Sequence, residues 1–199
     1  QSNSSKREID KNNEIIKYAK ILIKGNIKYF SSQKFNLGDP PSWFLDPFNN
    51  QKYFNYNCHW TKLNEFSKLN GDIKNIWELS RFNWLGTFAY AYRVTFDRNY
   101  LKVINDWLND WVKQNPVNIG PNWKCGQEAS IRIINLIIAN EILGVKEKTD
   151  GFINLLKMHI DRIAPTTFYA KAQDNNHGIS EGIALYLGGF VLKKHKSKK

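Results

Sequence analysis

The sequence predicts an all-α protein in which helices pack in pairs. Apolar residues recur at three- and four-residue spacing through several long segments, as expected for helices that bury one or more faces. Gly and Pro residues mark the ends of these segments, and the connections alternate between short and long. No segment shows the strand alternation, hairpin turn signals or βαβ rhythm that would indicate a sheet.

The helices are expected in a definite order along the chain. A first helix over 9–23 should end near Gly25, because glycine tolerates the left-handed backbone of a helix end. Residues 26–56 combine turn residues with scattered aromatic rings, which predicts a long ordered connection packed by its own side chains. The later predicted helices cover 60–69, 72 to about 94, 99 to about 113, 122 or 123 to 143, 152–163, and a last helix after His177.

The chain is expected to contain one main domain, over 9–192. Residues 1–8 are polar and are expected to be disordered or tag-derived, and 193–199 form a Lys-rich tail. With 42% hydrophobic residues, seven Trp, nine Tyr and twelve Phe, the chain is globular rather than disordered. Its net charge of +11 favours an anionic partner such as an acidic polysaccharide, nucleic acid or an anionic surface, without choosing among them.

Several classes of protein are disfavoured by what the sequence lacks. Cys58 and Cys125 do not form a disulfide framework, and the sequence leaves open whether they pair or remain thiols. No His/Cys cluster has the spacing of a zinc site, so we expect no metal and no cofactor. No apolar run is long enough to span a membrane, and no RNA- or DNA-reading motif is present. The sequence shows no signal peptide.

The stretch from Gln173 to Gly182 is the densest in side-chain amides, imidazole and carboxylate. It precedes an apolar helical run, and Asp or Asn at such a place is a helix-start signal. Asn176 and His177 would then project from the positive end of a helix, where a carboxylate or phosphate is held favourably. The plainer interpretation of the same residues is a helix cap beside a Gly-containing turn.

Three groups of residues, taken together and in this order, resemble a known family. They are Asp72-Ile73-Lys74 with Trp77-Glu78-Leu79-Ser80-Arg81 and Ala89-Tyr90-Ala91-Tyr92; Asn115-Pro116 with Gly120, Asn122-Trp123, Glu128-Ala129 and Ile131-Arg132; and Asn175-Asn176-His177 with the following helix. Over residues 40–192 the chain resembles the N-terminal catalytic region of the heparinase II/III-like polysaccharide lyases, which include alginate and oligoalginate lyases.

The resemblance implies both an architecture and a partner. The fold would be a partial (α/α) toroid of stacked helical hairpins, whose loops line a groove for an acidic, uronate-containing polysaccharide. Family enzymes continue with more toroid helices and a β-sandwich, so the missing C-terminal toroid helices and β-sandwich of the same protein are expected partners of this domain. The family also favours a periplasmic or secreted location.

The family's reaction, β-elimination, makes three chemical demands. The uronate carboxylate must be neutralised, a base must take the C5 proton, and an acid must protonate the departing oxygen. Asn176 and His177 match the family's Asn-His pair, which neutralises the carboxylate. His177 is alternatively the base for one substrate epimer. Glu181, one helical turn further on, could orient the His177 ring or raise its pKa.

The proton-transfer residues of the family have no counterpart here. The family's Tyr acid/base and a further His come from segments downstream of the Asn-His pair, and Tyr186, inside the following helix, does not match that motif. We therefore expect little or no lyase activity from this chain by itself.

Substrate-binding candidates come from the first and second groups. Trp123, Gln127, Glu128 and Arg132 match a family segment near the groove, where Arg132 could bind a substrate carboxylate with two donors. The structural alternative is a Glu128–Arg132 pair with Trp123 in the core. Arg81 is a further binding candidate.

Other polar and aromatic residues have structural alternatives as well. Arg81 can pair with Glu78 three positions earlier and tie helices together. Trp43 and its aromatic neighbours are either a sugar-stacking platform or loop packing. His59 and His159 have no second ligand at metal spacing, so we expect buried, hydrogen-bonded histidines or surface ones.

Two other functions remain open at this point. One is a non-catalytic helical module that binds anionic glycan or assists surface-polysaccharide assembly. The other is a helical-repeat scaffold for protein or nucleic acid, which the basic charge permits although no reading motif supports it.

Overall fold

The computed structural model describes residues 13–54, 56–64, 66–67 and 71–196, and it is mostly helical, as predicted. The polar segment 1–8 lies outside the described residues. A first helix, α1, covers 13–22, and Gly25 follows it with a φ of 76°. The other helices are α2 Lys74–Ser80, α3 Asn83–Thr95, α4 Arg98–Gln114, α5 Gly126–Leu143, α6 Asp150–Ile163, α7 Thr167–Ala172 and α8 Asn176–Lys196.

Helices α3, α5 and α8 run in the same direction, with α5 in the middle. At one end of α5, Gly126 lies against Glu181 of α8, and further along Ile133 lies near Gly188. On the other side, Asn135 of α5 donates a hydrogen bond of 2.9 Å to Asn83 of α3. Their amino-terminal ends therefore point toward the same end of the molecule.

Helices α4 and α6 return on the outside of this row. Trp84 of α3 packs edge-on against Trp107 of α4, and Phe88, further along α3, stacks on Tyr100, nearer the start of α4, so α3 and α4 are antiparallel. Helix α6 packs on α5 and on α8. The stacked helical hairpins expected from the sequence are confirmed.

The expectation of one helix from Asp72 to about Val94 is wrong. The helix breaks after Ser80, and Phe82 adopts a left-handed backbone with a φ of 65°. The Phe82 side chain is fully buried, and its ring lies 4.9 Å from that of Trp111. Burial of this ring overrides the local helical periodicity, and residues 77–85 contain no Gly or Pro to signal a break.

The expectation that no strands occur is also wrong, for residues 26–72. Three antiparallel two-stranded hairpins form. Of the helix predicted over 60–69, Trp60–Lys62 form a 3-10 helix, while residues 65, 68 and 69 lie outside the described residues. The strands are β1 Asn26–Tyr29, β2 Gln33–Asn36, β3 Leu45–Asp46, β4 Gln51–Lys52, β5 Phe66–Ser67 and β6 Gly71–Asp72. They are too short to show alternation, and Phe30 and Ser31 supply the left-handed turn residues usually signalled by Asn-Gly.

The long connection is packed by its own aromatic rings and by the helices. Trp43 is 1% exposed and donates a hydrogen bond of 2.7 Å from Nε1 to Asp110 of α4. Its ring lies 6.3 Å from that of Trp107. The loop-packing interpretation of Trp43 therefore agrees with the structure.

Helix α8, with 21 residues, is the longest helix of the described chain, and it extends beyond the predicted domain boundary at residue 192. It continues to Lys196, so the predicted tail from residue 193 begins inside a helix. Within the described residues, no helix is both long enough and apolar enough to cross a membrane.

Candidate functional site

The first turn of α8 begins where the sequence predicted a helix start. Asn175 accepts a 2.9 Å hydrogen bond from the backbone N–H of His177, so Asn175 caps the helix. Asn176 is exposed and His177 is half-buried. The Ser180 hydroxyl donates back to the carbonyls of Asn176 and His177, each at 3.1 Å. The backbone of this turn is thus fixed without using the Asn176 or His177 side chain.

Glu181 lies between the first turns of α8 and α5. Its side chain is so close to Gly126 that a Cβ on Gly126 would collide with the carboxylate. Glu181 is 3% exposed, and burial raises its pKa, while the nearby Arg162 guanidinium opposes that rise. The carboxylate therefore packs toward α5, and its predicted influence on the His177 ring stays a prediction.

Arg81 and Glu128 form a two-point ion pair. Arg81 donates from Nε and Nη2 to the two carboxylate oxygens of Glu128 at 2.7 and 2.8 Å, and from Nη1 to Glu78. The predicted Glu78–Arg81 pair is confirmed. The structural alternative of a Glu128–Arg132 pair does not form, because Glu128 is paired across the helices with Arg81. The Glu128 hydrogen bond raises the pKa of Arg81.

Arg132 lies in the core and its donors are directed inward. It has no exposed surface, and it donates from Nε to His159 Nε2 at 2.8 Å and from Nη2 to the Asn122 carbonyl at 2.6 Å. Its guanidinium carbon lies 5.1 Å from the Trp111 ring centroid and 5.6 Å from that of Trp123. Burial lowers the pKa of Arg132 to about 9.

His159 completes this buried cluster as a neutral acceptor. Its Nδ1 lies 2.8 Å from the Leu155 carbonyl, which assigns the ring proton to Nδ1 and leaves Nε2 to accept from Arg132. Burial, with the adjacent Arg132 charge, holds the pKa of His159 well below its usual range. His159 is thus the buried, hydrogen-bonded histidine that the sequence allowed, whereas His59 is exposed.

Trp123 and Arg132 are therefore not available to a substrate in this structure. Trp123, like Arg132, has no exposed surface, and its indole N–H donates to the Asn115 carbonyl at 3.2 Å. The expectation that these two side chains contact substrate does not agree with the structure, because both are fully buried. Gln127, in the first turn of α5, is half-buried, and Arg81 retains 26% side-chain exposure.

Arg162 belongs to this end of the molecule, and the sequence did not single it out. It donates from Nε to the Trp123 carbonyl and from Nη2 to the Lys124 carbonyl, both at 2.8 Å. Arg162 therefore holds the chain that leads into α5. A single arginine near the end of an amphipathic helix gives no sequence signal that separates it from a solvated one.

The two helix starts give this end of the molecule its electrostatic character. The positive ends of α5 and α8 lie together, and the side chains of Arg81 and Arg162 add cationic charge that Glu128 and Glu181 partly balance. Asn176 and His177 lie at the rim of this arrangement as side-chain hydrogen-bonding groups. Among the residues that the structure describes, no group of three His, Cys, Asp or Glu side chains could hold a metal ion. Cys125 is a free thiol, so the alternative of a Cys58–Cys125 disulfide is not realised.

Comparison with solved structures finds a similar fold in part of one known protein. The crystal structure of heparan sulfate lyase HepC from Pedobacter heparinus matches with a TM-score of 0.55 and 18% identity, covering 87% of this chain and 24% of that one. A mutant of the same lyase matches with a TM-score of 0.55 and 16% identity, covering 89% and 25%. At this identity the likeness establishes the fold alone, and the chain spans about a quarter of the lyase's length.

Comparison of sequences identifies the family. No curated protein matches the chain. The family profile described as heparinase II/III N-terminus matches residues 5–197, which is nearly all of the sequence. This chain therefore belongs to the heparinase II/III N-terminus family.

Proposed function

We propose that this domain binds an acidic, uronate-containing polysaccharide and supplies the charge-neutralising part of a lyase site that cleaves by β-elimination in a longer protein. The observation that supports it most strongly is the first turn of α8. Asn175 and Ser180 satisfy the local backbone, while the side chains of Asn176 and His177 make no hydrogen bond to the rest of the described chain. Two donors are thus left available at the positive end of a helix.

This arrangement suits the first demand of β-elimination. When the C5 proton leaves, negative charge moves onto the uronate carboxylate, and donors already oriented toward that group stabilise the charge without reorganising. The Asn176 amide and the His177 imidazole are such donors. Arg81 and Gln127, which keep partial exposure, are the remaining substrate-binding candidates of the site.

The acid and the base of the reaction are proposed to come from helices other than those that the structure describes. Tyr186 is 74% exposed, and it lies on α8 with three other exposed apolar side chains, Ile179, Ile183 and Phe190. These four recur at helical spacing along one face, which favours contact with a further helix rather than a catalytic role. We propose that additional toroid helices pack there and bring the acid and base.

A binding experiment with the chain itself tests the proposal. Hexasaccharides of heparan sulfate, alginate and hyaluronan are titrated calorimetrically, with maltohexaose as the uncharged control. We expect an acidic glycan to bind, and the Asn176→Ala/His177→Ala variant to lose at least about tenfold in affinity because two hydrogen bonds to a charged group disappear. His195→Ala, the same residue type near the opposite end of α8, serves as the matched control and should bind normally.

The competing functions predict different results. Equal affinity of the double variant and the wild type for every acidic glycan would remove Asn176 and His177 from the site. Release of unsaturated uronate, followed by its absorbance, measures turnover. We expect little or none, and clear turnover would show that this chain contains proton-transfer groups of its own.

A further inference from the structure

Trp60 differs from the other six tryptophans of the chain. Those six, Trp43, Trp77, Trp84, Trp107, Trp111 and Trp123, are exposed by no more than 7%. Trp60 is partly exposed, and it lies in the 3-10 helix that follows the aromatic connection. Because all seven tryptophans lie within the described residues, Trp60 is the one indole that a dissolved molecule can reach.

The Trp60 ring is held in place by a stacked guanidinium group and by a hydrogen bond of its own backbone. The Arg162 guanidinium carbon lies 3.7 Å from the ring centroid, and Arg162 is itself fixed by the Trp123 and Lys124 carbonyls. The backbone N–H of Trp60 donates to the Asn118 carbonyl at 3.0 Å. Little conformational entropy is therefore lost when a ligand packs on this ring.

Trp60 lies at the same end of the molecule as the start of α8. Arg162 connects the two places, because it stacks on Trp60 and donates to the carbonyl of Lys124, two residues before the Gly126 against which Glu181 lies. Glu181 is one helical turn from His177, which is about 6 Å along the helix axis. A chain of sugars bound at Asn176 and His177 can thus extend toward Trp60.

Basic side chains lie near the ring. His59 lies beside it, with the two ring centroids 5.6 Å apart, and Lys62 is exposed two positions further along. Lys124 donates to the Leu63 carbonyl at 2.7 Å, which keeps a third basic group nearby. An aromatic face bordered by basic groups is complementary to a sugar ring that has C–H groups on one face and acidic groups at its edge.

We propose that Trp60 forms a second subsite, at which one sugar of an acidic glycan stacks on the indole while its acidic group lies near His59 and Lys62. This subsite rests on the proposed function, because it binds another part of the same polysaccharide. It differs from the Asn176–His177 position in that it recognises a sugar face and takes no part in charge neutralisation at the reacting unit.

Variants of Trp60 test the subsite with the hexasaccharide that binds the wild type best. Trp60→Ala should lower the affinity about tenfold, since an aromatic stacking contact is lost. Trp60→Phe keeps a flat ring and should retain most of the affinity. Phe190→Ala removes another accessible ring, 59% exposed, near the far end of α8 and should bind as the wild type does. Thermal unfolding confirms that each variant is folded.

Tryptophan fluorescence adds a readout that does not depend on the alanine variant. Glycan binding should change the emission of the wild type, and the change should disappear in Trp60→Phe because the six other indoles are buried. If the wild type binds no acidic glycan, the proposed function fails and the subsite fails with it. If binding depends on Asn176 and His177 but is unchanged in Trp60→Ala, the subsite alone is overturned.

Discussion

The amino-terminal ends of α5 and α8 both carry polar residues that stand out in the sequence, yet the fold uses them differently. In α5, Glu128 is 3% exposed and bound to Arg81, and Arg132 is fully buried against His159. In α8, Asn176 is exposed and its side chain makes no hydrogen bond within the described chain. A polar cluster is therefore a site candidate only where the fold leaves its hydrogen-bonding groups unused.

The difference arises from the neighbours of each helix. Helix α5 lies in the middle of the row, between α3 and α8 with α6 outside, so a polar side chain on it must find a partner inside the protein. Helix α8 stands at the edge of the row, and the short helix α7 packs beside Gly178 in its first turn. Solvent remains the partner of the Asn176 and His177 side chains.

The largest effect is expected when the buried arginine of α5 is removed. Arg132→Ala should lower the free energy of unfolding by about 3–5 kcal/mol, because it leaves a cavity and strands the His159 nitrogen and the Asn122 carbonyl without a donor. Urea denaturation measures the loss. Arg98→Ala, an exposed arginine on α4, is the control and should change stability by less than about 0.5 kcal/mol. Equal losses in the two variants would mean that Arg132 is not the structural centre of this end of α5.

The buried histidine should make the stability of the protein depend on pH. His159 has a lowered pKa in the folded state, so the unfolded chain binds more protons as the pH falls below about 6.5. Stability is thus fully retained above that pH and should be lost by up to about 1.4 kcal/mol per pH unit below it. Denaturation of the wild type and of His159→Gln between pH 7 and 5 tests this, with a shallower slope expected for the variant. Parallel slopes would assign the pH dependence to other groups.

The smallest effects are expected at the start of α8, where capping and binding should separate. Asn175→Ala removes the cap and should cost about 1 kcal/mol, measured by the same denaturation. Asn176→Ala and His177→Ala should each change stability by less than about 0.5 kcal/mol, because their side chains bind no described part of the protein. A loss of several kcal/mol in either variant would indicate that the side chain is structural, as Arg132 is.

Much of the helical architecture could be predicted from local sequence. The helices over 99–113 and 152–163 were predicted to within two residues of α4 and α6, because each presents an apolar stripe to the core. The break at Phe82 was not predictable, because a tertiary contact of its ring determines the backbone there. The hairpins over 26–72 were missed because their strands of two to four residues are shorter than the pattern that reveals a strand.

The sequence by itself determined the family, from groups of residues spread over most of the chain. It also determined the helical class, the start of α8 and the pairing of Glu78 with Arg81, since each of these depends on residues close together in the chain. Only the tertiary structure decided that Glu128 pairs with Arg81, 47 positions away, and that Arg132 meets His159, 27 positions away. It also decided that Trp123 is buried and Trp60 accessible. Burial depends on which helices pack against each other, and the spacing of residues within one segment does not reveal this.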